Sequence, residues 1–159
     1  MWKCERPSAI RTGAYLDTSV VGAYYDDRDA RRRELTRDFW MRLPEFSPHI
    51  SSLVLDELSA VRKKPLRDKL MGLVSTFSKL ATTQEARDLA RKYVEAGVVV
   101  ETFFVDALHL AIASAHGMNY LVSWNFRHIV NVRTRSLVTT VNVNNGLRPL
   151  EIVAPPELR

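Results

Sequence analysis

The stretch DALHLAIASAHG at residues 106–117 is followed closely by YLVSWN at residues 120–125. The first segment is apolar almost all round up to residue 113, which predicts a buried central helix that ends at Gly117. The second segment is short, apolar and rich in aromatic and β-branched residues, and it predicts a buried strand ending at Asn125. A buried helix that leads into a buried strand is typical of an α/β domain with a largely parallel sheet.

Short apolar runs also alternate with helical segments in the rest of the chain. Strands are predicted at 14–16, 46–51 and 150–153, the second weakened by Pro48, and a short extended piece at 98–100. Helices are predicted from Ser51-Ser52, from Pro65, and from Thr82 or Thr83 to Gly97. Residues 130–143 fit either a helix or a strand. No internal repeat or linker divides the chain, so we expect one domain over residues 1–159, with its core at about 13–156.

The composition excludes several classes of protein. The chain has 159 residues, of which 46% are hydrophobic and 26% charged, as in ordinary globular domains. Its one cysteine, Cys4, cannot form an intrachain disulfide or a cysteine-rich zinc site. No apolar run approaches the roughly 20 residues of a membrane span, and the first residues lack the apolar stretch of a signal peptide. A cytoplasmic protein without a membrane partner is the expectation.

The net charge of +5 makes nucleic acid a reasonable partner, because basic surfaces attract phosphate backbones. Basic residues cluster at 31–33 and 62–64, and Arg127, His128 and Arg133 are candidates for phosphate contacts. Short basic runs also occur as solvated helix faces that bind nothing. Charge alone leaves both interpretations open.

Four polar residues stand at or near the carboxyl ends of predicted strands. Asp17 follows the first strand, Glu57 lies early in the helix after the second, Asp106 begins the central helix, and Asn125 follows its strand. Functional residues of open parallel sheets gather beyond the carboxyl ends of the strands, so these four are candidate site residues. They are separated by 40, 49 and 19 residues and can meet only through the fold.

Each of these residues also has a purely structural interpretation. Asp17 and Asp106 could cap helices, and Glu57 could face solvent. Asp56 lies about 100° round the helix from Glu57, so the two cannot both face one site. His109, one turn after Asp106, could support a ligand carboxylate or be an ordinary core histidine.

The combination resembles the PIN-domain family. The segments YLDTSVV at 15–21, SSLVLDEL at 51–58 and DALHLAIA at 106–113 are similar to the family's first three elements. YLVSWNFRHI at 120–129 resembles the fourth, in a subgroup that carries Trp-Asn, and residues 141–155 resemble that subgroup's closing segment. The resemblance covers roughly residues 13–156, nearly the whole chain.

The resemblance implies a three-layer α/β/α sandwich with a short, mainly parallel central sheet. It also implies a ribonuclease that uses Mg²⁺ or Mn²⁺, in which Asp17 and Asp106 are the principal metal ligands and Glu57 completes the set. Asn125 departs from the fullest family pattern, which has an aspartate there, so a second ion would bind more weakly. Small stand-alone members are usually VapC-type toxins, which implies an RNA substrate, an antitoxin protein and a homodimer.

The chemistry of phosphodiester cleavage explains why these residue types are needed. Clustered carboxylates bind Mg²⁺ or Mn²⁺, which activates a water molecule and neutralises charge on the phosphate. Two other functions stay open at this point. The chain could be a PIN-like module with impaired chemistry that only binds RNA or protein, an alternative that Asn125 supports. A nucleotide-binding Rossmann-like module is disfavoured, because no Gly-rich loop follows the first strand.

Overall fold

A computed structural model describes residues 10–159, so Cys4 and the first residues, which lack the apolar stretch of a signal peptide, lie outside the described part. Five strands form one sheet in the order β3-β2-β1-β4-β5, and every neighbouring pair is parallel. The strands are β1 (Gly13–Leu16), β2 (Ser47–Ser51), β3 (Ser78–Leu80), β4 (Tyr120–Val122) and β5 (Glu151–Val153).

Helices flank the sheet and connect its strands. They are α1 (Thr18–Ala23), α2 (Ala30–Arg42), α3 (Ser52–Ser59), α4 (Lys64–Leu73), α5 (Gln84–Glu95), α6 (Phe104–Ala115) and α7 (Val132–Asn144). The predicted α/β/α fold with a short parallel sheet is confirmed. None of the helices within residues 10–159 has both the length and the apolar character required to cross a membrane.

Local sequence explains most of the helix starts. Asp17 caps α1 through Val20 N, Ser51 caps α3 through Val54 N, and Thr83 caps α5 through Ala86 N. In each case a side-chain oxygen accepts from a backbone N–H that has no partner inside the helix. Gly97 and Gly117 follow α5 and α6 with positive φ angles of 78° and 66°, a conformation that favours glycine.

The structure differs from the sequence predictions in several elements. Pro48 does lie in β2, but β3 begins to pair only opposite His49, so the missing N–H removes no ladder hydrogen bond to β3. The edge strand β3 was not predicted, because its sequence, Ser-Lys-Leu, has little apolar character. Val98–Val100 forms no strand; Val98 and Val99 instead pack into the core after α5. The ambiguous segment after residue 130 is the helix α7.

The central part of the sheet is fully buried, and three of the candidate residues lie beyond the carboxyl ends of its strands. Ala14, Tyr15 and Leu16 of β1 and Leu121 and Val122 of β4 have no exposed surface. Because β2, β1 and β4 are adjacent and parallel, their carboxyl ends lie side by side at one edge of the sheet. The segments that carry Asp17, Glu57 and Asn125 follow directly from these three strands.

Candidate functional site

Asp17 is almost completely buried, with 3% of its surface exposed. Its Oδ1 accepts hydrogen bonds from Ser19 Oγ at 2.5 Å and Val20 N at 3.3 Å, and its Oδ2 accepts from Ser123 Oγ at 2.5 Å. Burial raises the pKa of Asp17 above its ordinary value, and nearby His109 and the two serine hydroxyls offset only part of that effect. Asp17 therefore caps α1 and also lies at the carboxyl end of β1. The structural interpretation as a helix cap is thus compatible with the interpretation as a candidate site residue.

Two serine hydroxyls tie the end of β1 to the loop after β4. Ser19 Oγ accepts from Trp124 N at 2.9 Å, and Ser123 Oγ accepts from Asn125 N at 2.9 Å. Each hydroxyl thus accepts from the loop backbone while donating to one oxygen of Asp17. The position of Asn125 relative to Asp17 is fixed by these short hydrogen bonds.

Glu57 points toward the site from α3, while its neighbour Asp56 is exposed. Glu57 Oε1 accepts from Thr18 Oγ1 at 3.0 Å and lies 2.6 Å from His109 Nε2. Burial alone would raise the pKa of Glu57, but hydrogen bonds with His109 and Thr18 outweigh it and leave the pKa below its ordinary value. Helix geometry allows only one of the two acids to face one site, and the family resemblance favours Glu57, which precedes Leu58.

A buried hydrogen-bonded chain stands behind Glu57. His109, 3% exposed, lies 2.7 Å through Nδ1 from Tyr15 Oη, which in turn lies 2.8 Å from Ser51 Oγ. Burial raises the pKa of Tyr15 far above its usual range, so the phenol stays protonated. His109 is therefore in contact with a candidate ligand, in line with the supporting role considered from sequence.

Asp106 lies in the first turn of α6, two residues after the helix begins, so it does not cap that helix. It is half-buried, and burial raises its pKa; His128, His109 and the Asn125 side chain lower it, while Glu57 raises it. The first turn of α6 therefore carries a half-buried acid whose pKa responds to Glu57 and to the loop after β4. The Asn125 side chain accepts through Oδ1 from His128 N at 3.0 Å.

The carboxylate oxygens of the candidate site are of the kind that binds a divalent cation, but the described side chains are not arranged as a complete metal site. Within residues 10–159, no three His, Cys, Asp or Glu side chains are close enough together to hold a metal ion. Burial nevertheless raises the pKa of Asp17 and of Asp106, which a cation between them would reverse. Glu57 Oε2 accepts no hydrogen bond in the described part, and Asp17 Oδ2 accepts only one. Oxygen donors of this kind suit Mg²⁺ and Mn²⁺.

Comparison with known families decides the classification. A family model described as "PIN domain" matches residues 14–128. The chain belongs to the PIN-domain family. The match includes all four candidate residues, and it confirms the resemblance seen in the sequence. It does not test the Trp-Asn subgroup, which stays a prediction.

Solved structures of PIN proteins share the fold at low sequence identity. VapC20 of Mycobacterium tuberculosis, a toxin that cleaves the sarcin-ricin loop, is 20% identical over 68% of this chain and 86% of its own, with a TM-score of 0.56. VapBC2 of Rickettsia felis, bound to promoter DNA, is 14% identical over 90% and 98%, with a TM-score of 0.58. VapBC-5 of M. tuberculosis is 17% identical over the same shares, with a TM-score of 0.52. No curated protein matches the chain.

The roles of Tyr15, Ser51 and Ser123 were not recognised from the sequence. The sequence pattern assigns Tyr15 only to a strand and Ser51 only to the start of a helix. A tyrosine in a fully buried strand needs a hydrogen-bond partner, which is a signal that sequence reasoning could have used. Ser123, the first polar residue after a buried strand, gives the same kind of signal.

Proposed function

We propose that this PIN-domain protein is a metal-dependent endoribonuclease and the toxin of a type II toxin–antitoxin pair. The observation that carries the proposal is the placement of Asp17, Glu57 and Asp106 at the carboxyl ends of adjacent parallel strands or in the helix beside them. Two of these acids have pKa values raised by burial, and carboxylates with perturbed pKa values are common at functional sites.

The proposed roles follow from the contacts of each side chain. Asp17, fixed by Ser19 and Ser123, and Asp106 are the principal ligands, and Glu57 completes the set or acts through water. Bound Mg²⁺ or Mn²⁺ supplies a water of lowered pKa and neutralises charge on the phosphate oxygens. The serine hydroxyls hold Asp17 in one orientation, and His109 holds Glu57.

Asn125 supports a second candidate function, a PIN fold that binds RNA or protein without cutting it. An amide at this position adds no negative charge to the site, so a second ion is held weakly. We favour chemistry with one ion, because three carboxylates are enough for Mg²⁺, which keeps several of its waters.

The partners in this proposal are RNA as substrate, an antitoxin that blocks the site, and a second copy of the chain in a homodimer. Support comes from the shared fold with VapC20, a cleaving toxin, and with two VapBC assemblies of toxin–antitoxin type. The cytoplasmic location expected from the sequence stays a prediction.

The experiment is RNA cleavage by the purified chain with Mg²⁺ or Mn²⁺ and with excess chelator. We expect cleavage only with metal, and a loss of orders of magnitude in Asp17→Asn and in Asp106→Asn, each with the wild-type circular dichroism spectrum. Asp56→Asn is the matched control, because Asp56 is exposed beside Glu57 and should retain full activity.

Three outcomes would count against the proposal. Cleavage that survives chelation would contradict the metal mechanism. Wild-type rates in both aspartate variants would show that these acids only stabilise the fold. RNA binding without cleavage under any metal condition would favour the binding module.

A further inference from the structure

A surface of aromatic and basic side chains lies next to the proposed site, and the roles assigned so far make no use of it. We call it the aromatic-basic surface and define it by Phe103, Phe126, Arg127, His128 and Arg133. It lines a concavity of about 410 Å³ that contains no Asp or Glu among its lining residues. Phe126 directly follows Asn125, and His128 N donates to Asn125 Oδ1 at 3.0 Å, so the surface adjoins the site.

The aromatic rings of this surface differ in how far they are exposed to solvent. Phe103 and His128 stack with ring centroids 4.0 Å apart, and the Arg127 guanidinium lies 5.8 Å from the Phe103 centroid. Phe126 meets Trp124 edge to face at 6.0 Å, and Trp124 is fixed by a hydrogen bond from Nε1 to Thr36 Oγ1. Phe126 is nevertheless 54% exposed, so its ring packs against Trp124 and is still accessible from solvent.

The two arginines of this surface form no ion pair with an acidic side chain in the part of the chain that the structure describes. Within residues 10–159, neither Arg127 nor Arg133 forms an ion pair, although Arg28, Arg32 and Arg135 all do. Both free arginines are exposed. An unpaired guanidinium beside an exposed aromatic ring is the combination that binds the phosphates and bases of single-stranded nucleic acid.

We propose that the aromatic-basic surface binds single-stranded RNA next to the cleavage site, with one base stacked on Phe126 and phosphates contacted by Arg127 and Arg133. This inference rests on the proposed function and names the part of the chain that holds the substrate strand. Stacking on Phe126 tolerates any base, so the surface supplies affinity and position rather than sequence specificity.

A second copy of the chain fits the same surface less well. Val100 and Val132, 64% and 80% exposed, add apolar area that a dimer could also bury. A two-fold interface centred here would, however, bring two sets of unpaired arginines together without acidic residues to neutralise them. Charge complementarity therefore favours a polyanion over a symmetric dimer.

The test is binding of a fluorescently labelled, unstructured RNA to the full-length chain in chelator, followed by anisotropy at several salt concentrations. Chelation prevents metal-dependent cleavage, so binding is measured apart from activity. The variants are Phe126→Ala, Phe126→Leu, Phe126→Trp, Arg127→Ala and Arg133→Ala. Arg148→Ala is the matched control, because Arg148 is exposed and lies three residues before the start of β5, on the side of the amino-terminal ends of the strands, away from the loop after β4.

The proposal expects a graded result. Phe126→Ala and Phe126→Leu weaken RNA binding at least about fivefold, the lower end for losing one stacked base, while Phe126→Trp binds like wild type. Each arginine variant weakens binding and reduces the slope of log affinity against log salt by about 0.7, as for one lost phosphate contact on a single strand. Arg148→Ala changes neither quantity.

Other results overturn the inference, and a parallel cleavage assay separates it from the proposed function. Equal binding by wild type and all Phe126 variants, with normal metal-dependent cleavage, rejects the surface and leaves the ribonuclease intact. If wild type cleaves no RNA but the graded binding is found, the surface stands and the nuclease proposal fails. A change from dimer to monomer in Phe126→Ala, with RNA binding unchanged, identifies a protein interface instead.

Discussion

Tyr15 and His109 belong to a buried chain of hydrogen bonds between Ser51 and Glu57, and one consistent set of donors and acceptors runs along it. Ser51 Oγ accepts from Val54 N, so its own O–H is free to donate to Tyr15 Oη. Tyr15 then donates to His109 Nδ1, which leaves Nε2–H to donate to Glu57. In this set of donors His109 is the Nε2–H tautomer, and the Tyr15 hydroxyl is the partner of its Nδ1.

Removal of the Tyr15 hydroxyl tests this arrangement. In Tyr15→Phe, His109 Nδ1 loses its donor, so the ring is no longer held in the tautomer that donates to Glu57. We expect the rate of RNA cleavage to fall about 10-fold or more, as for other residues that orient a metal ligand, with little change in KM. The measurement is steady-state cleavage at saturating metal.

Tyr93→Phe is the matched control for this variant. Tyr93 is equally buried and donates within a hydrogen-bonded cluster, but its partners are Ser114 and Asn142, away from the site. Both variants should lose similar stability, and only Tyr15→Phe should lose rate. Equal rate losses would mean that the effect of Tyr15 is merely structural.

The raised pKa of Asp17 predicts an unusual pH dependence of stability. A carboxyl whose folded pKa lies above its ordinary value of 3.8 stabilises the fold fully below that value, and the contribution is lost as pH rises through the folded pKa. In chelator, wild type should therefore lose stability relative to Asp17→Asn as pH increases. Thermal unfolding of both proteins from about pH 4 to about pH 8 measures the difference. A difference that is constant across this range would contradict the raised pKa.

Asn125→Asp addresses the departure from the fullest family pattern. At an effective dielectric of about 20, a unit charge pair at about 4 Å is worth roughly 4 kcal/mol. Repulsion between the new carboxylate and Asp106 and the other acids offsets much of this favourable energy, so we expect only a modest rise in Mn²⁺ affinity. Calorimetric titration of both proteins would show this rise, and identical affinities would mean that Asn125 does not face the ion.

At the scale of elements, the end of β1 and the loop after β4 act as one unit because Ser19 and Ser123 link them. Ser123→Ala leaves one Asp17 oxygen and the Asn125 N–H without their partner in a buried region. We expect a loss of about 1–3 kcal/mol in the free energy of unfolding, measured by denaturant titration. Ser59→Ala is the control; its exposed hydroxyl bonds only to Leu55 O in its own helix and should be nearly neutral.

The same elements show what the sequence could and could not predict. The apolar segment of α6 and the buried strands β1 and β4 are visible in the pattern because burial on both faces leaves continuous apolar runs. The edge strand β3 and the helix α7 cannot be recognised from the pattern, because β3 is largely polar and α7 has only a weak apolar face. The four candidate residues are predicted from their positions in the pattern, but the contacts of Tyr15 with His109 and of Ser123 with Asp17 join residues that are 94 and 106 positions apart.

For the whole molecule, the strand order explains why residues so far apart in sequence meet. β1 lies between β2 and β4, so the three segments after these strands are neighbours, while β3 and β5 at the flanks contribute no candidate ligand. The central proposal is that Asp17, Glu57 and Asp106 bind one divalent cation at this edge of the sheet, an arrangement that residues 10–159 do not form in the absence of the ion.

Calorimetric titration of Mn²⁺ into wild type, Asp17→Asn, Asp106→Asn and the exposed control Asp56→Asn tests that claim most directly. The account predicts one principal site in wild type and in Asp56→Asn, and binding weakened by at least about tenfold in the other two, equivalent to about 1.4 kcal/mol. Wild-type affinity and stoichiometry in both Asp17→Asn and Asp106→Asn would contradict it.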